Sequence, residues 1–87
     1  PIQRETLSVT DRYNEYIMTG LRTIWGVSLI KIKNDFGESY VKYLKMQSKK
    51  FIEKDLLYIE NDILKTTKKG KFLSDGIASD LFKLNLN

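Results

Sequence analysis

Cysteine and histidine are both missing from this chain of 87 residues. Without Cys the chain has no disulfide framework, no thiolate nucleophile and no cysteine-ligated metal site. Without His it lacks the commonest general base and metal ligand near neutral pH. The sequence therefore predicts no catalytic residue and no metal site. We expect an accessory domain whose work depends on something outside these residues.

Proline and long apolar runs are scarce as well. One Pro and five Gly exclude a low-complexity linker, and the length allows one domain with a small core. No run approaches the roughly 18 apolar residues that a membrane span requires, and no signal peptide is visible after Pro1. We therefore expect a cytoplasmic protein. Because the chain begins with Pro rather than Met, we interpret it as a fragment of a longer protein, structured over about residues 8–83.

Positive charge is what the chain has in excess, with a formal net charge of +4. Residues 1–38 are neutral overall, whereas residues 39–71 contain nine Lys against four acidic residues. A basic centre of this kind indicates an anionic partner, and nucleic acid is one such partner.

The first third of the chain predicts two helices. Ser8-Val9-Thr10-Asp11 has the form of a capping box, and apolar residues then recur at helical spacing. Gly20 falls on this apolar face, which predicts the close approach of another backbone. Ser28 is the expected N-cap of a short second helix that ends at Gly37. The apolar face of the first helix comprises Tyr13, Tyr16, Ile17, Gly20, Leu21 and Ile24.

A third helix is predicted from Ser39 to about Lys54. Its outer face is basic and its inner face apolar. The period then changes to two short apolar runs on either side of Asn61-Asp62, which is typical of a β-hairpin because Asn and Asp tolerate positive φ. The outward-facing residues of the helix are Lys42, Lys45, Lys49, Lys50 and Glu53, and the inward-facing ones are Tyr40, Val41, Leu44, Ser48, Phe51 and Ile52.

The last part of the chain predicts one more helix, from about Lys68 to Lys83, with Thr67 as its N-cap. Residues 84–87 are expected to fray. The order is therefore helix, helix, helix, hairpin, helix. This order predicts a mainly α domain with a small β-hairpin, in the α+β class, with a winged helix-turn-helix-like topology. The buried residues expected on the last helix are Phe72, Leu73, Ile77, Leu81 and Phe82.

Two groups of polar residues were candidates for chemistry. Asp11 and Glu15 lie one helical turn apart, but on a face that is expected to be solvated. The segment Thr66–Lys71 combines Thr, Gly and three Lys, which suits an anion at a helix N-terminus. It lacks a full glycine-rich phosphate loop and follows a hairpin. We therefore interpret it mainly as the junction between hairpin and helix, with an anion site as the less favoured alternative.

DNA binding is the rival function for the basic centre. In a helix-turn-helix the second helix of the pair enters the major groove, and here that helix is Lys-rich. Base readout favours Arg, Asn and Gln, whereas this helix offers only Gln47. Nucleic acid is therefore not the expected partner, and a winged-helix DNA-binding module is kept as the alternative.

The segment Arg12–Thr23, RYNEYIMTGLRT, is followed by Gly26-Val27. It resembles the opening motif of the C-terminal domain of the oxygen-independent coproporphyrinogen III oxidase-like family. That motif has Arg-x-Asn-Glu, apolar residues with Met, Gly-Leu-Arg and a later Gly. The similarity continues at Phe36-Gly37, in the hairpin and at residues 67–70, and covers about residues 5–83. Lys68 stands where Pro is frequent in the family.

The resemblance implies a radical S-adenosylmethionine (SAM) parent protein. Its catalytic barrel lies upstream and holds a 4Fe-4S cluster on a CxxxCxxC motif, which this chain lacks, so no cofactor is expected to bind here. Some members decarboxylate coproporphyrinogen III, and relatives act as haem chaperones. The implied partners are the upstream barrel and, through the parent, porphyrin or haem. The domain would pack on the barrel near its substrate opening.

The polar residues of the matched motif are the candidate site. Arg12, Asn14, Glu15 and Arg22 are expected to form ion pairs or hydrogen bonds with the barrel. The alternative for Arg22 is a porphyrin propionate, because its planar guanidinium suits carboxylates.

Overall fold

The computed structural model describes the backbone of residues 2–83 and the side chains of residues 9–83. It confirms a mainly helical domain with a hairpin after the third helix. The structure adds a third strand and divides the last predicted helix. The predicted fraying of residues 84–87 lies outside the described residues. The elements are α1 (Ile2–Leu21), β1 (Val27–Ser28), α2 (Leu29–Phe36), α3 (Glu38–Glu53), β2 (Leu57–Glu60), β3 (Ile63–Thr66), α4 (Lys68–Lys71) and α5 (Ser74–Leu81).

Helix α1 begins at Ile2, so the prediction that Ser8 is its N-cap is wrong. The residues before Ser8 include Gln, Arg, Glu and Leu and no Gly or Pro after position 1. These residues favour a helix, so nothing stops α1 from extending upstream. At the other end α1 finishes at Leu21. Ile24 therefore leaves the helical pattern and is 71% exposed, contrary to expectation.

The sheet has the order β1-β3-β2 and is antiparallel throughout. The hairpin turn is as predicted: Asn61 and Asp62 have φ of 54° and 62°, the backbone that a two-residue hairpin requires. β1 was not predicted, because two residues are too few to show a period. It pairs with β3 through Val27 and Leu64, and both side chains are buried.

The turn into β1 explains Gly20. A Cβ at this position would lie 2.9 Å from the carbonyl oxygen of Gly26 and 2.7 Å from a methyl of Val27. The predicted close approach of another backbone is therefore confirmed. It lets the chain reverse after α1 and lay β1 against the helix.

The N-cap of α2 and the residue between α2 and α3 follow the prediction. Ser28 Oγ accepts a hydrogen bond from the backbone N–H of Lys31 at 3.1 Å. Gly37 has φ of 107° and its N–H bonds to carbonyls of α2. α3 begins at Glu38, one residue earlier than expected, and Ile52 on its predicted inner face is exposed.

One apolar core holds the helices and the sheet together. Burying these side chains contributes roughly 25 cal/mol per Å² of apolar surface, which is the main favourable term for a domain of this size. Phe36, Tyr40, Val41 and Phe82 are partly buried against its edge. The core residues are Tyr13, Ile17, Leu21, Val27, Leu29, Ile32, Leu44, Phe51, Leu56, Leu57, Leu64, Ile77, Ala78 and Leu81.

The single helix expected over residues 68–83 is two helices. Thr67 caps the first as predicted, because its Oγ1 accepts from the N–H of Gly70 at 3.0 Å. α4 is one turn long and α5 starts at Ser74. Phe72 and Leu73 lie in the break and are exposed, so the prediction that they are buried is wrong. Ile77 and Leu81 are buried as expected.

Gly70 fixes where α4 lies. A Cβ on Gly70 would overlap the carbonyl oxygen of Leu56, and the N–H of Thr67 donates to that same carbonyl at 3.0 Å. α4 is therefore packed directly on the backbone that leads into the hairpin. The interpretation of residues 66–71 as the junction between hairpin and helix agrees with this packing.

Gly70→Ala should lower the free energy of unfolding by about 1–3 kcal/mol, because the overlap with Leu56 forces the backbone apart. Gly76→Ala is the matched control, since a Cβ there meets no atom within 4 Å. That change should raise stability by up to about 1 kcal/mol, because Gly76 lies inside α5. Urea unfolding followed by circular dichroism measures both. A neutral effect of Gly70→Ala would contradict the close packing of α4.

Candidate docking surface

Two tyrosines hold the end of α5. Tyr13 on α1 donates a hydrogen bond from its hydroxyl to the carbonyl of Leu81 at 3.1 Å. Tyr43 on α3 donates to the carbonyl of Phe82 at 2.7 Å. Carbonyls at a helix C-terminus have no partner within the helix. Side chains from α1 and α3 therefore supply the cap that the sequence of α5 lacks.

Asn14, one of the candidate site residues, extends this anchor. Its side-chain N–H donates to the carbonyl of Lys83 at 3.2 Å, and its Oδ1 accepts from the N–H of Lys83 at 2.9 Å. The Lys83 ammonium lies 4.7 Å from the ring centre of Tyr43. Both polar groups of Asn14 are thus occupied within the domain, in fixing the segment after α5.

Among the described residues, the pKa that burial changes most is that of the Tyr13 phenol. Its ring is fully buried and packs edge-on against Phe36 and tilted against Tyr40, with centroids 5.8 and 4.9 Å apart. Burial raises the pKa of Tyr13 well above its ordinary value, and the neighbouring Tyr43 and Tyr40 add to this. The hydroxyl stays neutral and serves as a donor.

Of the other three candidate residues, Arg12 and Glu15 lie on the outer face of α1, at helical spacing with Thr19. Arg22 directly follows the last residue of α1 and is also exposed. The structure does not bring Asn14 onto this face. Arg22 is paired: its Nε donates to Asp75 Oδ1 at 3.0 Å.

The Arg22–Asp75 pair joins the loop after α1 to the first turn of α5. The loop after α1 contains Ile24 and Trp25, and the loop that separates α4 from α5 contains Phe72 and Leu73. These four side chains are 71%, 74%, 87% and 53% exposed. Monomeric proteins expose single apolar side chains routinely, whereas a group of large ones in neighbouring loops indicates an interface. We call Ile24, Trp25, Phe72 and Leu73 the apolar loops.

A groove of about 680 Å³ runs beside the second loop. Its floor is formed by the buried Phe51, Leu56 and Ile77, and Phe72 and Leu73 form one wall. Such a groove can receive an apolar side chain of a partner protein. The exposed ring of Phe72 can then cover that side chain.

Sequence patterns missed the apolar loops because they assigned three of the four residues to buried helix faces. The available signal was the position of two glycines: Gly26 has a positive φ in the turn after Trp25, and Gly70 lies in α4 just before the break that contains Phe72 and Leu73. No sequence pattern assigned Trp25, just after the end of α1, to a buried or an exposed position.

The described part of the chain offers no metal site, because none of its carboxylates cluster in groups of three or more. None of its helices has the length and apolar character that crossing a bilayer requires. The basic face of α3 is exposed as predicted, at Lys42, Lys45 and Lys49. At the tip of the hairpin lie the acidic Glu60 and Asp62.

Comparison with protein families gives one match: residues 7–73 match the model of the HemN C-terminal domain. The match includes α1 from Leu7 onward, the whole sheet, α4 and all four residues of the apolar loops. Neither the curated proteins nor the solved structures contain a match to this chain.

Stability should fall steeply at alkaline pH because of Tyr13. A phenol whose pKa is raised in the folded state stabilises the fold fully below its unfolded pKa, near 10.0, and that stabilisation is lost as the pH rises above it. Tyr13→Phe should cost about 1–2 kcal/mol at neutral pH, by leaving the Leu81 carbonyl without its donor. The stability of the Tyr13→Phe variant should then decline less above pH 10 than that of the wild type.

Urea unfolding between about pH 8 and pH 11 measures how the free energy of unfolding of the wild type and of Tyr13→Phe changes with pH. Tyr58→Phe is the control, because Tyr58 lies on the outer face of the sheet and is 38% exposed. Equal alkaline slopes for Tyr13→Phe and the wild type would rule out this role of the buried phenol.

Proposed function

Since this chain belongs to the HemN C-terminal domain family, we propose that it is the C-terminal accessory domain of a longer radical SAM protein and that it docks on that protein's catalytic domain. The observation that carries the docking is that four large apolar side chains in two neighbouring loops are 53–87% exposed. Covering them removes apolar surface from water, which is the main driving force of association.

The ion pair beside the loops supports the same role. Arg22 and Asp75 are both largely exposed, so the pair adds only about 0–1 kcal/mol to the stability of the domain itself. Arg22 precedes Trp25 in the chain and Asp75 follows Phe72, so the pair ties the loop after α1 to the start of α5, beside the second loop. Preorganised loops lose less conformational freedom when a partner binds.

The polar face of α1 is the rim of this proposed interface. Arg12 and Glu15 are exposed on the outer face of α1, and the exposed Arg22 directly follows that helix, next to the apolar loops. Interfaces commonly have an apolar centre and a polar, hydrated rim. For Arg22 the pairing with Asp75 supports the interdomain role over a porphyrin propionate, because its Nε already binds a carboxylate.

The cofactors of such a parent protein are not held by these residues. Iron–sulfur clusters are ligated by Cys thiolates, and this chain has no Cys. The residues present do not fit a cluster, and we assign no catalytic step to this domain. Coproporphyrinogen oxidation, or haem binding in a chaperone, is proposed for the parent as a whole, in the cytoplasm.

Trp25→Ala combined with Phe72→Ala should weaken binding to a separately expressed radical SAM domain at least about tenfold for each residue, because buried aromatic side chains dominate most interfaces. Isothermal titration calorimetry measures the affinity. Both side chains are exposed, so the fold of the isolated chain should be unchanged by circular dichroism.

The matched control is Ile30→Ala with Met46→Ala, since these residues are 57% and 67% exposed on α2 and α3. It should change the affinity less than about twofold. Arg22→Ala should slow association and reduce its salt dependence. Equal losses in both double variants would contradict docking through the apolar loops. If Arg22→Ala changed neither docking nor porphyrin binding, Arg22 would have no interface role.

The alternative is a winged-helix DNA-binding module. The exposed Lys42, Lys45 and Lys49 on α3 favour it, but the hairpin that would serve as the wing carries Glu60 and Asp62 at its tip. These carboxylates would repel phosphates that approached the hairpin.

Random duplex DNA should therefore bind weakly. In a gel-shift titration we expect no complex below about micromolar protein, as for non-specific binding at physiological salt. Steeply salt-dependent binding below that concentration, lost on replacing Lys42, Lys45 and Lys49 by Gln, would favour the DNA-binding alternative instead.

A further inference from the structure

A second, smaller cavity borders the loop after α1. Its volume is about 170 Å³, and it is formed by the loop after α1, the outer face of the sheet and the start of α4. Three ammonium groups share its lining with an aromatic ring and an aliphatic side chain. Among the lining residues are Lys65, Lys68, Lys71, Tyr58 and Ile24.

The fold brings these lysines together from two elements. Lys65 on β3 is paired across the sheet with Tyr58 on β2. Because Leu64 next to it points into the core, Lys65 points to the outer face. Lys68 and Lys71 are one turn apart in α4, so they share a face.

The position of α4 is held firmly. Thr67 Oγ1 donates to the carbonyl of Asp55 at 2.7 Å and accepts from the N–H of Gly70 at 3.0 Å. Gly70 in turn lies against the backbone of Leu56. The three lysines are therefore mounted on backbone that is fixed on both sides of the cavity.

Nothing in the described part of the chain neutralises these charges. The ion pairs of residues 9–83 are Arg22–Asp75 and Lys31–Asp35, and neither includes a lysine of the cavity. No Asp or Glu lines the cavity. Three like charges around one concave space create a positive potential, which attracts an anion.

We propose that this cavity binds a phosphate or pyrophosphate group. Lys presents a compact point charge and is a common phosphate ligand. Three ammonium groups also suit a group with two or three negative charges. The exposed Ile24 and the ring of Tyr58 can contact the organic part of a phosphate ester. This proposal does not rest on the docking proposed above, although the cavity shares Ile24 with the apolar loops.

The test is titration of the ¹⁵N-labelled 87-residue chain, followed by two-dimensional NMR at constant ionic strength. Inorganic pyrophosphate, AMP and adenosine are the probes. Pyrophosphate should shift the amide signals of Thr66, Lys68 and Lys71 saturably, with a Kd of roughly 0.1–1 mM, as expected for a few exposed ion pairs. Adenosine, which has no phosphate, should cause no such shifts.

The two sources of the phosphate group are distinguished by AMP. If AMP binds at least as tightly as pyrophosphate and also shifts the signals of Ile24 and Trp25, the ligand is an organic phosphate. If pyrophosphate alone saturates, the ligand is an inorganic polyphosphate. Failure of both to cause localised, saturable shifts would overturn the proposal.

Two triple variants with the same change of net charge complete the test. Lys65→Gln, Lys68→Gln and Lys71→Gln together should weaken pyrophosphate binding about tenfold or more, because they remove the ammonium groups of the cavity. Lys42→Gln, Lys45→Gln and Lys49→Gln on α3 should weaken it less than about twofold.

Equal effects of the two triple variants would show non-specific attraction to a basic protein and would also overturn the proposal. Trp25→Ala with Phe72→Ala should leave pyrophosphate binding within about twofold of the wild type, since neither residue lines this cavity. A failure of docking and a failure of phosphate binding are therefore observed separately.

Discussion

The hydrogen bond from Tyr13 to the end of α5 is the contact on which the arrangement of the helices depends. Tyr13 is fully buried, its ring packs on Phe36 at the end of α2 and on Tyr40 in α3, and its hydroxyl reaches the carbonyl of Leu81. One side chain thus joins four helices. Burying a hydroxyl is favourable only when it is bonded. The core can therefore close around Tyr13 only if α5 ends with the carbonyl of Leu81 next to that hydroxyl. Asn14 fixes the segment after α5 in the same way, through its hydrogen bonds with Lys83.

This dependence explains which parts of the fold the sequence could predict. Ser28, Thr67 and the Asn61-Asp62 turn act on backbone within a few residues of themselves, and all three were identified correctly. The predicted start of α1 was wrong, because the sequence of a capping box can also occur inside a helix. β1 and the break between α4 and α5 depend on contacts with Leu64 and Leu56, which are distant in the chain. No local pattern contains that information.

The candidate site shows the same division. The match to the first-helix motif identified the family, yet the residues within it do different things: Asn14 binds Lys83, Arg22 binds Asp75, and Arg12 and Glu15 are exposed. Spacing along α1 could separate Asn14 from the exposed face, but not name its partner 69 residues away. The apolar loops were missed because an apolar residue near a predicted helix is more often buried than exposed.

The described residues of this domain form two candidate surfaces, which differ in chemistry although they meet at Ile24 and Lys71. On one side apolar side chains, in loops beside the Arg22–Asp75 pair, offer area to be covered. On the other side three lysines surround a cavity in which no acid balances them. Ammonium–phosphate attraction is strongly screened by salt, whereas apolar burial depends on salt much less. Two distinct roles on these neighbouring faces should therefore differ in their dependence on ionic strength, whereas one patch that serves a single partner should not show two such dependences.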